Sequence, residues 1–471
     1  MKYFLIFFSL FFIACSDRDY GNQDISTMPP LGVKESFSLR DYLPSKYLPR
    51  MSYITLEFSS ALDGEKDYKE FVILEDTNTS EIINTELEVF DNHIYIKPLS
   101  SYKINHKYKV TIKEISDIFG NSLDKQTSFE LTCKSDYWEN VKAGYLHTLA
   151  KSKYGELFSW GSNVYGELSD LSVSQRMIPV PIKIDYEADM FDAGFNNTAI
   201  VLKNNTTLIT KGANAIPTQV SLYDYLSLGA THGIVIKKDK TLWSFGTNTK
   251  GELGNLSLQD SNEFVEEYSK SKDWKVASGG ENFTIAIKED GTLWGWGDNE
   301  FAQLGSEDLN QRRTPHQEDN NETNWIYASA GGKYTCAIKS DASIVCFGDN
   351  SVGQLGDGSY ESNRTKRVVV TNSDNTSWKS VSCGYNHTLA LDSNDNLWAW
   401  GGNYYGQIGN GTQSNQNQPI KVLDNVLSFS AGKYFSIAIK KDGTMWSWGY
   451  NGYFQLGLGE VEDKNKPEEM K

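Results

Sequence analysis

The sequence has no run of lysine or arginine, and its 45 basic side chains face 61 acidic ones. A net charge of −16 repels phosphate backbones, which excludes nucleic acid as a partner unless one face is locally basic. Histidine is scarce, six in 471 residues, with no metal-site spacing. The nucleophile elbow and the phosphate-binding loop are both missing. Acidic residues are scattered, mostly at turns. The sequence therefore offers no catalytic residue, metal ligand or cofactor site, and reads as a non-enzyme. Only a carboxylate pair with raised pKa in a central channel would reopen that question.

Long hydrophobic runs are lacking as well. The one apolar run, from Phe4 to Ala14, is too short to cross a bilayer as a permanent helix. It follows Lys2 and precedes Cys15, the layout of an export signal. The segment Phe12-Ile13-Ala14-Cys15 resembles the lipobox of bacterial lipoproteins, with Phe12 in place of the usual Leu. The resemblance implies that residues 1–14 are removed and that Cys15 carries the lipid. The membrane would then be met only through that anchor. Ser16 after the Cys points to the outer membrane or the cell surface. An ordinary secretory signal is the alternative, and both readings export the chain. Residues 15–33, with Pro29-Pro30, read as a tether.

Cysteine is also rare, and export permits disulfides among Cys133, Cys336, Cys346 and Cys383. Cys336 and Cys346 flank a turn at Asp341, which would set them opposite one another. They form either a cross-strand disulfide or two buried thiols.

What the chain does have is aromatics, at 13%, and 39 glycines, a mixture suited to short strands and tight turns. From about residue 136 to 471 they follow a repeat. A glycine recurs at 144, 194, 229, 280, 331, 384 and 432, followed four residues later by Thr or Ser in every copy but the third, which has Gly233. A second glycine stands at 161, 212, 246, 297, 348, 401 and 449, and an Asn follows two residues beyond each. Between them, stretches such as Ile285-Ala-Ile-Lys, Glu-Asp-Gly and Thr292-Leu-Trp-Gly-Trp read as hairpins. A loop ending in Gly-Gln-Leu or Gly-Glu-Leu comes next, then a segment often led by proline. Repeats of about fifty residues made of short strands predict a β-propeller, here with seven blades.

All twelve tryptophans lie in these repeats, at three recurring positions. Alternation places Trp294 and Trp296 on opposite faces of one strand, and both faces of a blade meet neighbours, so these rings are expected in the core. His147, His232 and His387 share a slot that holds Phe in two other copies. Such a slot is structural.

The pattern Gly-x-x-His-Thr, Asp-Gly-x-Leu-x-x-Trp-Gly-x-Asn and Gly-Gln-Leu-Gly resembles the regulator of chromosome condensation repeat. It is best kept from Trp378 to Gly411. The resemblance implies a seven-bladed ring closed by pairing strands from its two ends. The segment Pro467 to Met470 is accordingly expected to complete the blade begun at Trp138. The propeller of a bacterial β-lactamase inhibitor protein is similar, and its use of one face to bind protein is the nearer functional precedent. The family's nucleotide-exchange activity fits an exported acidic chain poorly.

Residues 34–135 carry alternating strands, as in Ile54-Thr-Leu-Glu-Phe58 and Tyr108-Lys-Val-Thr-Ile112, and a turn at Asp117-Ile-Phe-Gly-Asn121. They are similar to bacterial Ig-like domains of the S-layer type, which implies a β-sandwich acting as a spacer. The whole is expected to be all-β, an Ig-like sandwich followed by the propeller. Its function is expected to be protein binding, with polysaccharide binding as the alternative. The candidate contacts are Tyr404, Tyr405, Tyr450 and Tyr453, beside the recurring Asn, and the loops at 410–417 and 357–364.

Overall fold

A computed structural model describes residues 37–470, apart from 124, 170–173, 185, 204–206, 214, 363–366 and 371–376. Cys15, the tether and part of the 357–364 loop lie outside the described residues. No helix occurs among those described, and every regular element is a strand.

The first unit is a sandwich of two sheets. One has the strand order Leu39–Leu43, Ile54–Phe58, His93–Pro98, Thr85–Phe90. The other orders Tyr47–Leu48, Thr127–Cys133, Lys107–Ile112, Val72–Asp76 and Glu81–Ile82. Alternation decides which side chains enter the core. Ile54, Leu56 and Phe58 face it from one sheet, and Tyr108, Val110 and Ile112 from the other, all essentially buried.

From Trp138 the chain makes seven four-stranded antiparallel sheets, each from consecutive strands. The first blade comprises Trp138–Ala143, His147–Ser152, Leu157–Ser162 and Gln175–Pro181. The seventh comprises Val426–Ala431, Phe435–Lys440, Met445–Gly449 and Lys464–Glu469. The innermost strands of neighbouring blades touch all the way round, including the first against the last, so the ring is closed. The mode of closure corrects the expectation from the sequence. The proline-led C-terminal segment pairs within its own blade, Trp446 opposite Glu469 and Ser447 opposite Glu468. The blade begun at Trp138 is completed by its own fourth strand, Gln175–Pro181, with Ser159 opposite Val180. Each repeat thus supplies all four strands of one blade, and the ring closes by packing and hydrogen bonds across the seam, with no exchange of strands.

A bond network at the blade seams explains the repeated residues. The backbone carbonyl of Gln407, in the sixth blade's Gly-Gln-Ile loop, accepts from Trp448 Nε1 at 2.9 Å and Ser436 Oγ at 2.8 Å in the seventh. Glu252 O receives Trp296 Nε1 and Thr284 Oγ1, and Gln354 O receives Trp400 Nε1 and Thr388 Oγ1. The closing seam is built identically, with Gln455 O accepting from Trp160 Nε1 at 3.0 Å and Thr148 Oγ1 at 2.9 Å. The glycine after each of these loops lies under the indole. A Cβ on Gly409 would stand 2.7 Å from Trp448 Nε1, so no side chain fits there. The parts are lost to different extents: the fifth blade has Phe347 in place of Trp but keeps the Thr335 Oγ1 bond to Gln303 O at 2.7 Å. The second blade has Lys211 instead of Trp, and the loop facing it ends in Ser169, not Gly. The third has Phe245 and Gly233, and a Cβ on Gly233 would overlap the Phe245 ring at 2.2 Å.

The tryptophans divide accordingly. Trp160, Trp274, Trp296, Trp325, Trp400 and Trp448 are fully buried, and Trp138, Trp378 and Trp398 nearly so. Trp243, Trp294 and Trp446 are only half-buried, contrary to the expectation of core for that position. Each lies under a lysine ammonium, 3.8 Å from Lys237, 4.8 Å from Lys288 and 4.7 Å from Lys440 to the ring centroids. The indole N–H of each donates to a Thr hydroxyl two residues before it. These rings shield the hairpins near the solvent boundary, where cation–π contact replaces burial.

The sandwich is seated on the outer strand of the first blade. Tyr53 N donates to Pro179 O at 3.0 Å, and Tyr53 and Tyr95 pack on Ile178 and Val180. Arg176, 1% exposed, stacks its guanidinium on the Tyr53 and Tyr95 rings at 4.9 and 4.4 Å and pairs with Glu88. Arg50 pairs with Glu469 at 3.1 Å, bringing in the last blade.

Emptying the Trp296 site by Trp296→Ala is expected to cost about 3–5 kcal/mol in chemical denaturation, the range for a buried aromatic. Trp294→Ala should cost clearly less. Equal losses would contradict the division of the two positions.

Candidate protein-binding face

Each blade's first glycine directly follows its innermost strand, so seven glycines ring the central channel. A Cβ on Gly144 would lie 2.6 Å from Gly194 O, one on Gly384 2.4 Å from Gly432 O, and one on Gly432 2.8 Å from Gly144 O. Any side chain would push adjacent blades apart, which accounts for glycine at this position in all seven copies. The channel holds about 110 Å³ and is walled by these glycines and by Ala143, Ala193, Leu228, Ala330, Cys383 and Ala431. Among its lining residues the only carboxylate is Glu281, at the mouth.

The residue after each glycine points round that mouth. Reading the copies in order gives Tyr145, Phe195, Ala230, Glu281, Gly332, Tyr385 and Lys433. The aromatic members are joined into one patch. Tyr145 and Phe195 have centroids 3.7 Å apart, Tyr145 and Tyr385 6.5 Å, and Tyr385 and Tyr434 5.7 Å.

The structure brings the four tyrosines proposed from sequence together and connects them to this patch. Tyr405 lies 4.9 Å from Tyr404, 4.8 Å from Tyr450 and 5.2 Å from Tyr434, and Tyr450 lies 6.4 Å from Tyr453. Tyr404 is 74% exposed and Tyr453 37%, whereas Tyr405 and Tyr450 are half-buried because they stack on their neighbours. A continuous run of rings therefore leads from the rim of the sixth and seventh blades to the channel. The mouth residues Tyr145, Phe195, Tyr385, Lys433 and Tyr434 escape a reading by repeated residues, because their position varies from copy to copy. Comparing the residue after each first glycine would have exposed them.

The recurring Asn does other work. Asn403 Oδ1 accepts from Ile408 N at 2.9 Å, Asn350 Oδ1 from Leu355 N at 3.0 Å and Asn451 Oδ1 from Leu456 N at 3.1 Å. All three are buried, and they shape the Gly-Gln-Leu loops. The loop at 410–417 is held to this frame, since Asn403 Nδ2 donates to the Thr412 and Ser414 carbonyls at 3.0 Å. Its neighbour at 357–364 is tied to it where Asn417 Nδ2 donates to Gly358 O at 2.7 Å.

Cys336 and Cys346 stand directly opposite in the fifth blade and are disulfide-bonded, both fully buried. Cys133 and Cys383 are free and buried. Burial pushes the Cys383 thiol up to about 12, so it stays protonated.

The three repeat histidines extend the seam network. His232 Nε2 meets Thr284 Oγ1 at 2.9 Å, and His387 Nε2 meets Ser436 Oγ at 2.9 Å. Both hydroxyls donate onward to loop carbonyls, so they accept from the imidazole N–H, which assigns the Nε2 tautomer. His147 Nε2 meets Thr198 Oγ1 at 3.1 Å. Burial lowers the three to about 4, 4 and 3 for His147, His232 and His387.

Comparison with known proteins agrees with this architecture. Residues 211–471 match the model of the RCC1-like domain, and residues 45–133 that of a bacterial Ig-like domain. The chain belongs to the RCC1-like domain family. Curated RCC1-repeat relatives include the ultraviolet-B receptor UVR8 of Arabidopsis thaliana, 26% identical over 64% of this chain and 71% of its own length. The probable E3 ubiquitin-protein ligase HERC4 of Homo sapiens is 31% identical over 42% of this chain, which spans only 19% of that protein. Among solved structures, human WBSCR16 superposes with a TM-score of 0.50 and 17% identity, over 74% of this chain and 85% of that one, a likeness of fold.

The histidines set an acid-side dependence. Their folded pKa values lie below the ordinary value near 6.5, so the unfolded chain takes up protons first. The stability they contribute is full above about pH 6.5 and is lost as pH falls towards 4. The midpoint of thermal unfolding should drop between about pH 6.5 and 5, and less steeply in His232→Phe, which uses a residue native to that slot. An unchanged slope in the variant would contradict neutral, buried histidines.

Proposed function

We propose that the chain is an exported, lipid-anchored surface protein whose propeller binds another protein through the tyrosine face. The observation that carries this reading is the continuous run of rings from Tyr404 and Tyr453 to the channel mouth. Tyrosine gives large, rigid contact area at low entropic cost, and clustered aromatics are where binding energy concentrates. Export rests on Lys2, the apolar run to Ala14 and Cys15. Membership of the RCC1-like family supports a rigid recognition platform, and the reading is non-enzymatic. The Ig-like unit serves as the spacer. Because it packs on Ile178 and Val180, it carries the head at a fixed attitude. The polysaccharide reading loses support from the Asn residues, which are buried inside their loops.

The anchor is tested by fractionating cells that express the chain. Wild type should partition with membranes and Cys15→Ala should not; membrane retention of the variant would contradict a lipid on Cys15. The face is tested by affinity capture with the exported chain. Replacing Tyr405 and Tyr450 together by Ala should weaken a captured protein about thirtyfold, equivalent to about 2 kcal/mol. Unchanged protein binding, or capture of glycan alone, would contradict this assignment.

A further inference from the structure

The mouth of the channel holds a cation with no counter-charge among the described residues. Lys433 Nζ sits 3.4 Å from the Tyr145 ring centroid, 4.9 Å from that of Tyr434, 5.5 Å from that of Tyr385 and 5.8 Å from that of Phe195. Its pKa is lowered by burial alone, with no carboxylate of the described residues opposing the shift. Three other lysines beside rings, Lys153, Lys288 and Lys339, do have an acidic partner. Lys288 meets Asp273 at 3.1 Å and Lys153 pairs with Asp136. Four rings hold Lys433 in place, but cation–π contact leaves the ammonium's hydrogen-bond donors unused.

The rest of the mouth is charged unevenly. Glu281 lies on the fourth blade's side, with its Oε2 buried and unpaired. Its pKa is raised by burial and by Asp298, while Lys333 beside it and a hydrogen bond with Tyr385 act in the opposite direction. Asp298 and Asp349 lie on the fourth and fifth blades, and each accepts from a Gln side-chain amide, Gln303 or Gln354. Three carboxylates thus gather over blades four and five, with Lys333 beside Glu281 and Lys250 3.9 Å from Asp298, and the face is aromatic over blades six, seven and one, with one cation that has no acidic partner among the described residues. That cation stands out in a chain of net charge −16.

Resting on the protein-binding reading above, we propose that the partner inserts an acidic side chain at the channel mouth, its carboxylate received by Lys433 within the ring of Tyr145, Tyr385 and Tyr434. The ammonium supplies charge-assisted donors and the flanking rings exclude water, the setting in which such a bond is strongest. The small residues Ala230 and Gly332 leave room for the entering chain. The acidic half of the face turns away a second carboxylate, which restricts the partner to a single acidic anchor with neutral or basic groups beside it.

Random peptides displayed on phage and selected on the immobilised exported chain test this. The selected set should share one Asp or Glu, whose change to Asn or Gln weakens binding on the order of tenfold, the scale of one charge-assisted bond. Lys433→Met should cause the same loss without shifting the melting temperature, and Lys433→Arg should retain binding. Peptides that lose binding in the Tyr405, Tyr450 double variant but are indifferent to Lys433→Met would overturn the carboxylate inference and leave the binding face standing. A face that selects no peptides would count against both. Preferential binding of alginate, a uronate polymer, would overturn the protein partner while keeping a carboxylate at Lys433.

Discussion

A backbone carbonyl shared by two donors joins the blades at four of the seven seams and organises the propeller. In the loop after the recurring Asn, the carbonyl of a Gln or Glu is turned towards the next blade, where an indole N–H and a hydroxyl bond to it together. Both of its lone pairs are satisfied in a dry site, so a missing donor would leave a costly buried group. Because the acceptor is main chain, the side chain of the Gln or Glu is free to brace its own loop, as when Tyr405 N donates to Gln407 Oε1 at 2.9 Å. The Thr or Ser, the Trp, the loop glycine and the shaping Asn are therefore parts of one device. At the third blade both donors are lost together, as Gly233 and Phe245, which is what a shared acceptor requires.

That device also decides where recognition can sit. Positions in the seam are fixed by packing, and glycines round the channel are fixed by the approach of neighbouring backbones. The residue after each such glycine is free of both constraints. On one side of the ring it has become aromatic, merging with the tyrosines of the sixth and seventh blades; on the other it is small or acidic. The Ig-like unit docks on the outer strand of the first blade through Arg176, Tyr53 and Tyr95, contacts that hold it on that strand beside the ring.

Much of the fold was legible because its determinants repeat. Seven glycines, seven asparagines and twelve tryptophans in register leave little room for another architecture, and the pairing of Cys336 with Cys346 was among the two outcomes their spacing allowed. Three things were not legible. The Pro467 to Met470 segment resembles one that elsewhere precedes a new blade, and sequence alone cannot say whether it ends one repeat or begins the next. Trp294 and Trp296 look equivalent by alternation, yet only the structure shows that one of the two faces reaches solvent beneath Lys288. The channel-mouth residues varied from copy to copy, and a reading tuned to recurrence passes over variation, although that is where a recognition surface is built. The four rim tyrosines were visible because they stand beside a recurring Asn; Tyr145, Tyr385 and Lys433 had no such marker.

The account stands on the shared carbonyl as the bond that joins blades. Native-state hydrogen exchange measures this seam by seam. The seam between the second and third blades, where Gly233 and Phe245 supply neither donor, should open most readily, so amides of Asn197–Leu202 and His232–Lys237 should exchange at a lower opening free energy than those of His387–Asp392 and Phe435–Lys440. Uniform protection around the ring, or strongest protection at the seam lacking both donors, would contradict it.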